Sequence, residues 1–272
     1  MQWQADCRKL ADALQRKLFI SQAPVAVRLL SQAEVDQDPE WLQSVRRPGK
    51  GLPDKVLVCQ AMAMVRLYSW QVLVTPESVE CPTGLLTMGW VEMSPEYLRG
   101  EIPVSPFNQT NEARGRRMET VTCMPAGTVA AMAAAPLGDC PFEPQAVVVY
   151  CTPGQAMRLV QSTLFEEGGA IESSSAGAQG CSQYLSRVIL SGQPRYILPG
   201  NGDRIFGHVE DHQMAFSMPF SFAGRLAEGI EQSHMGGQSY PVPSYLRAEF
   251  KVPKAYAKAS EHLRQYTREQ ED

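Results

Sequence analysis

Cysteine is the residue type in this sequence with the widest range of chemistry. The seven cysteines are Cys7, Cys59, Cys81, Cys123, Cys140, Cys151 and Cys181. An odd number of widely spaced cysteines argues against complete disulfide pairing, and in a reducing cytosol they stay as thiols. Two interpretations follow: small buried hydrophobic residues, or metal ligands drawn from distant segments of the chain.

Three of the cysteines stand at positions where the sulfur is free to bind a metal. Cys59 lies early in a predicted helix, and Cys81 precedes Pro82 in a Cys-Pro-x-Gly turn that leaves backbone N–H groups free to hydrogen-bond to sulfur. Cys181 follows a run of serines and glycines at a predicted helix start, where the helix dipole favours a thiolate. Soft thiolates select iron–sulfur clusters, zinc or copper(I). Since the sequence has no Cys-x-x-Cys pair, spacing alone favours buried structural cysteines over a metal site.

Other chemical motifs are weaker. His208 and His212 lie four positions apart, and on a helix two histidines at this spacing can bind the same metal. They follow Gly207, however, and do not form His-Glu-x-x-His. We therefore interpret this segment as the solvent-exposed beginning of a helix. The sequence contains no phosphate-binding glycine motif of the Gly-x-x-x-x-Gly-Lys or Gly-x-Gly-x-x-Gly type and no Gly-x-Ser-x-Gly elbow.

Alternating helices and strands must position these residues. The hydrophobic periodicity, capping residues and Gly/Pro breaks predict helices over 4–18, 55–70, 112–120, 153–167, 178–190, 220–234 and 254–267. Short apolar runs predict strands over 24–30, 72–74, 127–137, 146–151, 196–198 and 205–206. This order indicates the α/β class, or α+β, with a mixed sheet and flanking helices.

The chain length of 272 residues allows a single large domain or two intimate halves. We interpret residues 1–272 as one domain. A Pro-rich, polar stretch near 93–111 is the place for an internal division, and residues 254–267 form a C-terminal helix.

Composition excludes several function classes. The net charge is −4, so there is no basic excess for nucleic acid. The apolar stretches are too short to cross a bilayer, and the charged first residues do not form a secretory signal. We expect a cytoplasmic protein without membrane or nucleic-acid partners. The sequence is compatible with a homo-oligomer.

Several ordered segments together resemble the bacterial and archaeal family called domain of unknown function 169. They are Pro24-Val-Ala-Val27, Cys59-Gln-Ala61, Cys81-Pro-x-Gly84, Val147-Val-Val-Tyr-Cys-x-Pro-Gly-Gln-Ala-Met-Arg-Leu159, Gly180-Cys181 and Gly202-Asp-Arg204. The likeness extends from about Gln4 to Pro243.

The resemblance implies recurrent cysteines at Cys59, Cys81 and Cys181. It also implies a fourth in the glycine turn, where this chain has Gly200. Four thiolates suit a four-iron (4Fe-4S) cluster. Cys151, at the end of a strand, is the first candidate for the missing ligand. Cys123, a non-protein ligand or an open position are the alternatives.

A small-molecule site is predicted beside the cysteines. Gln155 lies at a strand-to-helix junction of the kind where α/β folds bind ligands. The guanidinium groups of Arg66, Arg158 and Arg204 are suited to hold a carboxylate or phosphate. Asp203 joins them as a ligand-binding candidate. Each residue also has a structural interpretation, as a helix cap or an ion-pair partner.

Three functions compete at this point. The first is a cytoplasmic iron–sulfur protein of redox or anaerobic metabolism, with a small-molecule pocket near the cluster and a redox partner protein. The second is a non-catalytic binding protein for a small organic ligand or a tetrapyrrole, with methionines in its lining. The third is a thiol enzyme that uses one cysteine as nucleophile.

Overall fold

The computed structural model describes residues 2–103, 106–243 and 252–270 of the chain. Contacts divide the chain into two units, Met1–Val242 and Pro243–Asp272. The boundary follows Val242, and residues 93–111 lie within the first unit.

Six strands of the first unit form one antiparallel sheet in the order β4-β5-β1-β6-β8-β7. Two further strands, β2 and β3, form a small parallel pair. The strands are β1 (Val25–Leu30), β2 (Arg47–Pro48), β3 (Gly51–Leu52), β4 (Val72–Val74), β5 (Ala131–Pro136), β6 (Ala146–Cys151), β7 (Arg195–Ile197) and β8 (Met214–Pro219).

Helices connect the strands. Those of the first unit are α1 (Gln2–Leu18), α2 (Gln32–Asp36), α3 (Glu40–Ser44), α4 (Val58–Tyr68), α5 (Pro82–Thr87), α6 (Pro95–Leu98), α7 (Asn111–Met118), α8 (Pro153–Thr163), α9 (Arg187–Ser191), α10 (Asn201–Ile205) and α11 (Ala223–Met235). The second unit contains α12 (Lys254–Glu269), where the sequence predicts a helix over 254–267. Helices and one central sheet confirm the predicted α/β class.

Helices cover both faces of the sheet, and each face has its own apolar core. On one face, α1, α8 and α11 bury residues such as Leu14, Leu159 and Leu226; we call this the α1 layer. On the other face, α4 and the helical segment before α9 bury residues such as Met62 and Tyr184; we call this the α4 layer. Because side chains of a strand alternate between faces, adjacent residues of β6 are assigned to different layers.

The structure corrects one predicted strand near the glycine turn and adds a strand that was not predicted. The predicted strand 205–206 is wrong: Ile205 ends α10, whose first turn is capped by the side chain of Asp203 accepting a hydrogen bond from the Gly200 N–H. Strand β8 has no counterpart in the predictions. It is almost wholly buried between two layers, so it lacks the apolar/polar alternation that identifies a half-exposed strand.

Within the described residues, no helix combines the length and the apolar composition that crossing a bilayer requires.

Candidate functional site: a cysteine-lined pocket

Cys59, Cys81 and Cys181 line one pocket, although 122 positions separate the first from the last. The cavity has a volume of about 120 Å³. Asp203, Arg117 and the side chains of Tyr97 and Phe107 also line it. The fold therefore brings together three of the four cysteines that the sequence analysis predicts to be metal ligands.

Cys59 and Cys81 each stand at the beginning of a helix. Cys59 is the second residue of α4, and Cys81 is the N-cap of α5, with Pro82 at the first helical position. The Sγ of Cys81 accepts a hydrogen bond from the Gly84 N–H at 3.4 Å, as the Cys-Pro-x-Gly pattern predicts. Both side chains are only partly buried, so they form the accessible wall of the pocket.

Cys181 lies deeper, in the first turn of a helix that widens into a π-helical segment over Ser182–Ser186. Its Sγ is 3.7 Å from the Oγ1 of Thr87 in α5. The Ser186 hydroxyl donates to the Thr87 carbonyl at 2.7 Å, which fixes this helix against α5. Single π turns inside helices are frequent at functional sites.

Burial raises the pKa of two of the pocket thiols, those of Cys59 and Cys181. Desolvation, with a smaller contribution from the nearby carboxyl of Asp203, raises the pKa of Cys59 to about 12. The same two causes raise the pKa of Cys181 well above its usual value. At Cys181, desolvation therefore opposes the stabilisation of a thiolate by the helix dipole. Raised pKa values are the opposite of what a nucleophilic cysteine needs.

Asp203 is a buried carboxyl group in the same pocket. The Tyr184 hydroxyl donates to its Oδ1 at 2.9 Å, and the Gly200 N–H donates to its Oδ2 at 2.8 Å. A Cβ at Gly180 would lie 2.0 Å from Oδ2, so only glycine lets the carboxyl group approach the helix that carries Cys181. Burial raises the pKa of Asp203, and the two hydrogen bonds oppose that shift.

Arg66 lies behind this carboxyl group rather than in the pocket. Its guanidinium carbon is 4.4 Å from the ring centre of Tyr150, whose ring meets that of Tyr184 edge-on at 6.4 Å. The Arg66 guanidinium donates to the Gly207 carbonyl and, at 3.3 Å, to Gln213 Oε1. Arg66, predicted to bind a ligand, thus contacts Tyr150, whose ring packs against that of Tyr184, the residue that donates to Asp203.

Tyr184→Phe is expected to destabilise the metal-free protein more at high pH than at low pH. The raised pKa of Asp203 means that its contribution to stability is greatest at low pH and falls as the pH rises through the folded-state pKa. The Tyr184 hydroxyl stabilises the charged form, so its loss costs most once Asp203 is ionised, roughly 1–3 kcal/mol. Urea unfolding at pH 4 and pH 8 measures the difference.

The exposed Tyr196 in β7 provides the control for that prediction. Tyr196→Phe should change the free energy of unfolding little at either pH. An equal loss of stability at both pH values in Tyr184→Phe would show that Asp203 does not titrate against this hydroxyl.

Cys151, the predicted fourth ligand, lies outside the pocket. It is 2% exposed in the α1 layer, whereas its neighbour Tyr150 belongs to the α4 layer. Strand alternation thus directs the two residues to opposite faces of the sheet. A side chain at Gly200 is also poorly accommodated, because its Cβ would lie 3.0 Å from the Ala178 Cα.

Gln155 and Arg158 have structural partners in the α1 layer. The Gln155 side chain accepts from the Thr152 N–H at 2.8 Å and donates to the Leu18 carbonyl at 2.8 Å, closing the first turn of α8. Arg158 Nη2 donates to the Ser233 hydroxyl at 2.8 Å. These contacts give the structural interpretation of both residues and place them away from the pocket.

Arg204 and the two histidines lie in α10 or shortly after it. Arg204 donates to the Glu210 carbonyl and is 3.8 Å from Asp211, as a local ion pair requires. His208 has a left-handed backbone, with φ of 51°, so the two histidines do not share a helix face. Cys123 is partly buried, does not line the pocket, and has a pKa raised by burial.

Sequence reasoning missed two participants, Tyr184 and Arg117. The helix α7 carries three arginines in four positions, Arg114, Arg116 and Arg117. Only Arg117 is buried, at 8% exposure. Nothing in the local sequence distinguishes it from its neighbours, because the packing of α7 selects which arginine points inward.

The arrangement does not correspond to a site for one metal ion. In the part of the chain that the structure describes, no three or more His, Cys, Asp or Glu side chains are grouped so that they could hold a single ion. A mononuclear zinc site, which needs its ligand sulfurs within about 2.3 Å of one point, is therefore disfavoured.

Comparison with known proteins decides the family. The model of domain of unknown function 169, described as uncharacterised ArCR, matches residues 13–229. The chain belongs to this family. The predicted resemblance to domain of unknown function 169 is thereby confirmed, and the matched range includes the three pocket cysteines and Asp203.

A relative supports the same assignment. The chain is 26% identical over 231 residues to the uncharacterized protein MJ0308 of Methanocaldococcus jannaschii, covering 83% of this chain and 94% of that protein. No solved structure matches this member of the domain of unknown function 169 family.

Proposed function

We propose that this protein is a cytoplasmic iron–sulfur protein that acts in redox or anaerobic metabolism, with a cluster of the four-iron type held by Cys59, Cys81 and Cys181. The observation that carries the proposal is the convergence of these three cysteines, from three distant segments, on one pocket. Cys7 and Cys140, which belong to the α1 layer, line another cavity as a pair without a third cysteine.

The donor types in the pocket support such a cluster. Thiolates are the donors that iron–sulfur clusters prefer, and a cluster with several irons accepts sulfurs that do not converge on one point. Asp203 lines the same pocket and offers a carboxylate donor in place of the fourth cysteine. When bound, a cluster transfers single electrons, and an iron without a cysteine ligand acts as a Lewis acid.

The protein's own residues have defined roles toward such a group. The raised thiol pKa values mean that Cys59 and Cys181 release their protons on binding. The Tyr184 hydroxyl and the Gly200 N–H hold the Asp203 carboxyl group in place. The buried Tyr150 packs between Arg66 and Tyr184, which supports the ring that donates to Asp203.

The second candidate is a binding protein for a small organic ligand. Aromatic residues Tyr97 and Phe107 in the pocket wall favour it. The cavity, about 120 Å³, is below the roughly 300–1,000 Å³ of sites for drug-sized ligands. The volume therefore favours a small ligand over a tetrapyrrole.

Anaerobic purification tests the proposed function. We expect a brown protein with a broad absorption band in the blue region and with about four iron and four sulfide per chain, as a four-iron cluster requires. A redox partner or a small molecule that changes this spectrum would indicate the reaction. A colourless protein that takes up no iron after anaerobic reconstitution with iron and sulfide would refute the proposal, and a sharp Soret band would indicate a tetrapyrrole instead.

A further inference from the structure

Arg117 is a buried cation without a counterion in the wall of the cysteine-lined pocket. It is 8% exposed, and its Nε and Nη1 atoms are sealed from solvent with no hydrogen-bond acceptor. Among the described residues its side chain forms no ion pair and no hydrogen bond. Its guanidinium carbon lies 5.1 Å from the ring centre of Phe107, which also lines the pocket.

Other buried arginines in the protein differ from Arg117. Arg66 donates to a carbonyl and a glutamine, and Arg158 donates to a serine and a glutamine. Buried charges in proteins are normally paired or hydrogen-bonded, because desolvation without a partner is costly. The exception at Arg117 lies at a cavity, where a bound molecule can supply the missing partner.

The electrostatic surroundings agree with an anion at this position. The ionisable groups that act on Arg117 are Tyr97 and Arg114. Burial, with the repulsion of Arg114, lowers the pKa of Arg117, and Tyr97 opposes this. Neither neighbour supplies a negative charge at neutral pH, since tyrosine is neutral there.

We propose that the pocket binds a small organic monoanion whose carboxylate pairs with Arg117 and whose apolar part packs against Phe107 and Tyr97. The inference deepens the proposed function, on which it rests for the cluster that the anion would meet in the same pocket. One unpaired guanidinium balances one negative charge, which favours a carboxylate over a phosphate dianion. The aromatic rings beside it favour an organic molecule over an inorganic ion.

Titration calorimetry with the full chain, purified anaerobically, tests the inference with three probes. Benzoate carries the charge and the ring, benzamide carries the ring alone, and inorganic phosphate carries the charge alone. We expect benzoate to bind with a Kd at least tenfold lower than that of either other probe. No benzoate binding to the wild type, or binding of benzamide or phosphate as tight as that of benzoate, would overturn the proposal.

A matched pair of variants locates the contact. Arg117→Gln and Arg116→Gln remove the same charge from the same helix, but Arg116 is exposed. We expect Arg117→Gln to raise the Kd for benzoate at least tenfold and Arg116→Gln to change it less than twofold. Equal effects would show that only net charge matters, and an unchanged Kd in Arg117→Gln would exclude Arg117.

Two further measurements keep the outcomes separate. Since Arg117 lacks a partner, Arg117→Gln should unfold at a temperature no lower than Arg116→Gln does; a Tm lower by several degrees would show a structural arginine and count against the proposal. Iron and sulfide are assayed on the same samples. Benzoate binding without iron would refute the cluster alone, and a full complement of iron without benzoate binding would refute the anion site alone.

Discussion

Cys81→Ala is expected to reduce the iron content of the anaerobically purified protein at least tenfold and to leave the fold nearly unchanged. Cys81 is a partly exposed N-cap whose sulfur accepts one long hydrogen bond, from the Gly84 N–H at 3.4 Å. Loss of an N-cap acceptor costs about 0.5–2 kcal/mol, with a weak sulfur acceptor at the low end. Loss of one of three thiolates, by contrast, removes a bond that the cluster cannot replace.

Cys151→Ala provides the matched control with the opposite pattern. Cys151 is buried in the α1 layer, on the other side of the sheet from the pocket. The variant should keep its iron and lose roughly 1–3 kcal/mol of stability, as buried truncations do. Iron and sulfide assays together with urea unfolding measure both quantities. Retention of iron in Cys81→Ala, or its loss in Cys151→Ala, would show that the ligands are wrongly assigned.

Gly229→Ala is expected to destabilise the packing of α11 on α8 in the α1 layer. Gly229 lies in α11 where this helix meets α8, and an added Cβ would lie 2.0 Å from the Ser162 carbonyl oxygen and 2.9 Å from its carbon. Because the obstacle is backbone, the two helices must separate. Overpacking of a core costs about 1–3 kcal/mol and occasionally more, and we expect about 3 kcal/mol here.

Gly224→Ala, in the same helix, controls for the change in helix propensity. Among the described residues, no atom outside the helix backbone and the adjoining residues lies within 4 Å of an added Cβ at Gly224. The variant should therefore be as stable as the wild type or more stable by up to about 1 kcal/mol. Urea unfolding followed by circular dichroism compares the two. Equal stability of both variants would mean that α8 and α11 can separate without cost.

The close contact at Gly229 lies beside the hydrogen bonds of Arg158. The Ser233 hydroxyl donates to the Gly229 carbonyl at 2.6 Å and accepts from Arg158 Nη2 at 2.8 Å. Arg158 thus joins α8 to α11 inside the α1 layer. Its sequence neighbours, Met157 and Leu159, do not indicate in which layer α8 packs.

Local elements with strong signals were predictable. Strand β6 has the predicted bounds, Ala146–Cys151, because a continuous apolar run is followed by Thr152 and Pro153, which cap and begin α8. Strand β8 was not predicted. It is buried on both faces like β6, but Ser217 interrupts its apolar run and it has none of the β-branched residues that mark β6. The π-helical widening after Cys181 has no established sequence signal either, because it reflects how that helix packs.

The sequence by itself determined the α/β class, the family likeness and the set of candidate ligands at Cys59, Cys81 and Cys181. Such properties depend on residue type, short-range periodicity and motif order. Tertiary structure alone decided that these three thiols share a pocket with Asp203 and Arg117, and that Cys151 does not. The physical reason is that a strand alternates between two covered faces and a helix buries one side, so the neighbours that a side chain meets depend on long-range packing.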